Sequence, residues 1–97
     1  MNISVVIPTY NRKLILKKCL FSLENQLLNN RIISYEIIVI DDGSTDGTIN
    51  WISENKEKLP HVVFYQQSHG GPALARNLGV LKSKNEIIIF IDSDLVV

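Results

Sequence analysis

Four short runs of β-branched and aliphatic residues punctuate the chain at 3–8, 36–40, 62–66 and 87–91, with helix-forming stretches between them. Strands that are apolar almost throughout are covered on both sides, and strands alternating with helices build a parallel sheet. Right-handed crossovers, which hold in roughly 98% of such units, leave few topologies. The expected fold is α/β: a Rossmann-like parallel sheet in the order 3-2-1-4, with helices on both faces. The third run is the least apolar and belongs near an edge.

The intervening segments show the helical period. Leu16, Leu20, Leu23 and Leu27 share one face, while Lys13, Lys17, Lys18 and Glu24 fall mostly on the other, and Asn11 is suited to cap this helix. A second helix is expected over 47–58, capped by Asp46 or Thr45, with Ile49 and Ile52 turned inward and Pro60 closing it. A third starts with Pro72 in its first turn, puts Leu74, Leu78 and Leu81 on the core side, and uses Ala75 and Gly79 for close packing. Phe21, Trp51 and Cys19 are expected to pack in the core.

Composition removes several function classes. Ten basic residues balance ten acidic ones, so neither nucleic acid nor an anionic membrane is an expected partner. No stretch reaches the roughly 18 apolar residues that span a bilayer, and the first residues lack the layout of a signal peptide. The lone Cys19 fits a reducing compartment. The expected location is cytoplasmic, with the full-length protein peripheral at the cytoplasmic face of a membrane. The 97 residues make one small domain or part of a larger one.

The chemistry lies just beyond the strands. Thr9-Tyr10-Asn11, Asp41-Asp42 and Asp92-Ser93-Asp94 each follow an apolar run, so a parallel sheet gathers all three on one edge. Strands one and four flank the point where the winding reverses, and ligands bind outside the carboxyl ends there. Taken alone, Asp92-Ser93-Asp94 is equally well an acidic turn or a carboxylate pair holding a divalent cation with a diphosphate. Residues 41–47 lack the Glu and the leading helix of a calcium loop. A phosphate-accepting receiver would need carboxylates where Thr9-Tyr10 stands. Gly70-Gly71 lacks dinucleotide-binding spacing, and no phosphate-binding G-x-x-x-x-G-K is present. His61 and His69 have no zinc-ligand spacing and read as solvated loop residues. Arg76 is either a solvated helix residue or a partner for phosphate or the carboxylates.

Together the motifs match something specific. Val6-Ile7-Pro8-Thr9-Tyr10-Asn11-Arg12, with residues 16–23 and Gln26, resembles the opening of the family-two glycosyltransferases. Residues 38–48, with Asp41-Asp42-Gly43-Ser44 at their centre, resemble the second signature. Residues 71–79 resemble the third, and Asp92-Ser93-Asp94 the D-x-D metal motif. Four motifs in the family's order cover almost the whole chain. The one local departure is His69, which stands where the family commonly has Asn.

The resemblance implies the N-terminal half of a GT-A nucleotide-diphospho-sugar transferase. Residues 1–97 would then be its donor-binding part, ending just after the metal motif. By that analogy Pro8, Thr9, Tyr10 and Asn11 line or adjoin the nucleobase pocket, and Asp41 accepts the N3–H of uracil. Arg76 lies near the base or diphosphate, Asp92 and Ser93 reach the ribose and diphosphate region, and Asp92 and Asp94 hold Mn or Mg. The implied reaction is inverting transfer from a nucleotide-sugar donor, UDP-sugar favoured, to a glycan or lipid-linked acceptor. The catalytic base and the acceptor half are expected beyond Val97, so the chain alone is expected to be inactive. The alternative is a stand-alone nucleotide-binding or regulatory module. If strand four lacks its neighbour, its bare edge is expected to pair with another chain.

Overall fold

The computed structural model describes residues 2–28 and 34–91. In chain order the elements are β1 (Asn2–Thr9), α1 (Lys13–Leu28), β2 (Ser34–Asp41), α2 (Thr48–Glu54) and a 3-10 turn (Lys56–Lys58). β3 (Val62–Gln66), α3 (Pro72–Lys82) and β4 (Ile87–Phe90) follow. All pairings are parallel and the order is β3-β2-β1-β4, as the apolar runs and crossover handedness predict. Val6 sits at the centre, in register with Ile38 on one side and Phe90 on the other.

Alternation along the strands divides the interior in two. Ile3, Val5, Ile7, Ile37 and Val39 face α1 and α2, where Leu16, Cys19, Leu20, Leu23 and Ile52 meet them. Phe21 and Trp51 pack edge to face against this cluster, with ring centroids 5.8 Å apart. Val6, Ile38 and Ile40 face the other way, toward Ala75 and Leu78 of α3. The sheet is thus covered on both faces, more thickly on the first.

α3 corrects one expectation. Leu74 and Leu81 are 55% and 80% exposed, while Ala75 and Gly79 are buried. The reason is distance: a Cβ built on Gly79 would lie 2.2 Å from Cγ1 of Val6. A helix seated that closely presents its small residues to the sheet, and the larger side chains splay to its flanks. β4, at the opposite edge from β3, leaves Ile87, Ile89 and Phe90 more than two-fifths exposed.

Two polar side chains also differ from expectation. Asn11 does not cap α1 with its side chain; it adopts φ 50°, a conformation that asparagine tolerates, and bonds to another loop. The first amide of α1, on Lys13, donates to Asp46 Oδ2 at 2.9 Å instead. Glu24 is buried, not solvated, at the amino ends of the strands. Its carboxylate accepts the His61 backbone N–H at 2.9 Å, meets His61 Nδ1 at 2.8 Å and accepts the Tyr35 hydroxyl at 3.4 Å. His61 stacks on Tyr35, with ring centroids 4.1 Å apart, and is therefore a packed residue. Burial, with the Glu24 charge and hydrogen bond behind it, pushes the Tyr35 phenol up to about 12.

Candidate nucleotide-binding site

The carboxyl ends of β1, β2 and β3 carry the loops that form the site. Each loop leaves a buried strand with backbone groups and carboxylates that need partners, and the loops supply them to one another. Asn11 N–H donates to Ser44 Oγ at 2.8 Å, and Asn11 Oδ1 accepts the Thr45 N–H at 2.7 Å. Asp46 closes the same seam, because beside Lys13 it accepts the N–H and hydroxyl of Thr48 at the start of α2. Burial alone would raise the Asp46 carboxyl, but these bonds outweigh it and hold it below the usual range.

Asp41 and Asp42 are both buried and have different partners. Asp41 turns its carboxylate back onto its own loop, taking the Ser44 N–H on Oδ2 at 2.8 Å and the Ser44 hydroxyl on Oδ1. Asp42 reaches across to the segment after β3. Its Oδ1 accepts Gln67 Nε2 and the Gly70 N–H, each at 2.8 Å, and its Oδ2 accepts the Gly71 N–H at 3.0 Å. His69 Nδ1 lies 3.0 Å from the same Oδ2. Burial would push the Asp42 carboxyl up, but the bonds from Gln67, Gly70 and Gly71 and the neighbouring His69 hold it below the usual range.

Between these loops and α3 lies a cavity of about 360 Å³. That is within the ordinary size of small-molecule sites, roughly 300–1,000 Å³. Pro8, Thr9 and Tyr10 form one wall, Pro72, Ala75 and Arg76 of α3 another, and Phe90 and Ile91 the β4 side. Arg12, Asp42 and His69 complete it. It sits where β1 and β4 part and the winding of the sheet reverses, which is where such sheets bind ligands. Tyr10 and His69 lie together, ring centroids 4.4 Å apart and planes 36° apart, and the Tyr10 ring is 42% exposed. Thr9 Oγ1 is buried and has no hydrogen-bond partner among the described residues. Thr9 is itself one of the residues lining the cavity.

The structure therefore brings Pro8, Thr9, Tyr10 and Arg76 together on the cavity. Asn11 and Asp41 are not among its lining residues; they brace the loops behind it. Asp92, Ser93 and Asp94 lie outside the described residues. Among the described residues no group of three or more His, Cys, Asp or Glu could hold a metal ion. Arg12, Asp42 and His69 were not anticipated as lining residues. The signal for Asp42 was parity: it shares the even positions of Ile38 and Ile40, which face α3. For His69, expected to be solvated, the partner stands 27 positions earlier in the chain, beyond any local pattern. No helix among the described residues is long and apolar enough to cross a membrane.

Known proteins share this fold and much of this sequence. The family model described as Glycosyl transferase family 2 matches residues 4–97. The poly(ribitol-phosphate) beta-glucosyltransferase of Bacillus spizizenii is 41% identical over 96 residues, covering 97% of this chain and 15% of that protein. Staphylococcus aureus TarS, a poly(ribitol-phosphate) beta-N-acetylglucosaminyltransferase, is 34% identical over 95 residues, covering 97% of this chain and 16% of its own length. The crystal structure of TarS 1-349 in complex with UDP-GlcNAc superposes with a TM-score of 0.82 at 33% identity, over 97% of this chain and 27% of that one. The mannosyltransferase PcManGT of Pyrobaculum calidifontis, in complex with GDP-Man and Mn2+, gives 0.82 at 26% identity, over 95% of this chain and 27% of its own. The chain thus spans about one-sixth of the length of these two curated relatives. With its four-stranded parallel sheet, its loop-built cavity and a match over nearly every residue, the chain belongs to glycosyl transferase family 2.

Proposed function

We propose that this chain binds the nucleotide-diphosphate portion of a sugar donor, UDP-sugar favoured, for inverting transfer to a glycan or lipid-linked acceptor. The observation that carries the reading is the cavity at the strand switch point. It combines a half-exposed aromatic ring at Tyr10, an unpaired buried hydroxyl at Thr9 and two arginines, Arg12 and Arg76. An aromatic face suits a nucleobase, a buried hydroxyl suits its polar edge, and guanidinium groups suit a diphosphate. UDP-GlcNAc bound to TarS and GDP-Man bound to PcManGT support the same class of ligand.

Asp92 and Asp94 follow β4 in sequence and would supply carboxylate oxygens for magnesium or manganese beside the diphosphate, an all-oxygen set that either ion accepts. Such an ion stabilises the charge that develops on a departing nucleoside diphosphate. The chain's own residues have other tasks. Asp42 holds Gly70 and Gly71, which lead into α3. Asn11 and Ser44 keep the β1 and β2 loops in register, and the α3 wall positions Arg76. The base that would activate an acceptor hydroxyl, and the acceptor site itself, are assigned to the remainder of a longer protein.

The test is a titration of the chain with UDP, with and without magnesium, followed by amide chemical shifts. Tyr10, Asp42, His69 and Arg76 are expected to move, and Asp94→Ala to remove the magnesium-dependent part of the affinity. Shifts confined to other surfaces, or no shifts at all, would sink the reading.

A further inference from the structure

By family resemblance Asn11 adjoins the nucleobase pocket and Asp41 accepts the N3–H of uracil, yet neither lines the cavity. Asp41 is fully buried and both its oxygens are engaged by Ser44. Oδ2 takes the Ser44 N–H at 2.8 Å, and Oδ1 takes the hydroxyl. Ser44 Oγ in turn accepts the Asn11 N–H at 2.8 Å, and Asn11 Oδ1 accepts the Thr45 N–H at 2.7 Å. A hydroxyl donates once and accepts as well, so Ser44 serves both neighbours without conflict. The bonds form one chain from the buried carboxylate at the end of β2 to the loop after β1.

What this chain of bonds holds is Tyr10. Asn11 adopts φ 50°, a left-handed turn between the end of β1 and the start of α1. Both neighbours of Tyr10 are tied to the β2 loop. The Thr9 carbonyl accepts the Asp42 N–H at 2.8 Å, and Asn11 makes the two bonds just described. Tyr10 itself stays 42% exposed, with its ring against His69 on the cavity wall. A side chain so open to water has little packing to hold it, so the backbone that carries it sets its direction. Asparagine suits position 11 on two counts: it tolerates the left-handed turn, and its side chain supplies the acceptor. Glycine could turn the chain but would leave Thr45 without that oxygen.

We infer that Asn11 is a positioning residue for the nucleobase, acting through Tyr10, and that Asp41 acts behind it through Ser44 and not on the base. The inference rests on the nucleotide reading above and deepens its base-binding half. A ring already held in its bound direction spares the ordering that binding otherwise requires, which contributes roughly three- to ten-fold in affinity.

The probe is uridine, which has no phosphate, so neither a metal ion nor the charges of Asp92 and Asp94 beside a diphosphate enter the comparison. Its dissociation constant is read from amide and Tyr10 ring shifts in the unaltered chain and in a set of variants. Asn11→Gly keeps the turn and removes the acceptor, whereas Asn11→Asp keeps both. Ser44→Ala breaks the same chain of bonds from the other side and serves should Asn11→Gly fail to fold. Asn11→Gly and Ser44→Ala are each expected to weaken uridine binding roughly three- to ten-fold. Asn11→Asp should match the unaltered chain. The double variant should bind no more weakly than the worse single one, because one latch is broken only once. Adding Asp41→Asn to Ser44→Ala should change uridine affinity no further. Unchanged affinity in Asn11→Gly, an equal loss in Asn11→Asp, or additive losses in the double variant overturn the positioning role. A further loss on adding Asp41→Asn overturns the indirect role of Asp41. Absence of shifts at Tyr10 with both uridine and UDP in the unaltered chain overturns the nucleotide reading and the inference with it.

Discussion

The two ends of the sheet hold nearly the same three groups. At the amino end a buried Glu24 meets His61 Nδ1 at 2.8 Å, and His61 stacks on Tyr35. At the carboxyl end a buried Asp42 meets His69 Nδ1 at 3.0 Å, and His69 lies on Tyr10. Their surroundings differ. His61 is half as exposed as His69, and Tyr35 donates its hydroxyl to the same carboxylate, so that cluster is closed on itself. Around Asp42 lie the cavity and the exposed faces of the Tyr10 and His69 rings. Carboxylate, imidazole and phenol do not announce a site by their identity. What separates the closed cluster from the open one here is the ring surface left exposed after the internal bonds are made.

The sharpest way to break this contrast is Glu24→Ala. It leaves the His61 N–H, the His61 ring and the Tyr35 hydroxyl without their acceptor, a loss of about 3 kcal/mol in urea denaturation. UDP affinity, measured where the variant is still folded, should not change. A loss of affinity as large as the loss of stability would mean that the two ends are coupled.

Next in size is Asp42→Asn. The amide offers one acceptor oxygen where two served Gly70, Gly71 and Gln67, so about 2 kcal/mol of stability should go, and nucleotide affinity with it. Its pH dependence has a definite sign. A carboxyl held low in the folded state confers stability that is complete above its ordinary value, about pH 4, and is lost as pH falls through the folded value. The gap between the two proteins should therefore be full at neutral pH and close in acid. A gap independent of pH would contradict the network.

The smallest effects come from the histidines themselves. His61→Asn should cost about 1 kcal/mol and leave binding untouched; His69→Asn should cost less than about 0.5 kcal/mol. Thermal melts of the two variants, beside UDP titrations, check the pair. The reverse order of stabilities would erase the distinction between a closed cluster and an open one.

Much of the frame was legible in the sequence, because the strands are apolar enough to name themselves and crossover handedness restricts their order. The walls contributed by Pro8, Thr9, Tyr10 and Arg76 were also readable, from position after a strand and from family resemblance. What escaped were contacts closed over long separations. Glu24 and His61 stand 37 positions apart, and Asn11 and Thr45 stand 34 apart. No local pattern joins them, so Glu24 read as a solvated helix residue and Asn11 as a helix cap. α3 misled for another reason. Leu74, Leu78 and Leu81 have the spacing of a core stripe, but a helix drawn tight against β1 buries Ala75 and Gly79 and turns two of those leucines outward.

That tight seating has a further consequence. Val6 meets the bare backbone at Gly79, with no side chain between helix and strand to act as a cushion. β1 ends in Pro8 and Thr9, followed by Tyr10, and α3 carries Ala75 and Arg76, so these two elements are opposite jaws of the same cavity. The missing methyl at position 79 therefore acts as a gauge block, setting how wide the jaws stand. A single carbon added there would press on Val6 and pry them apart.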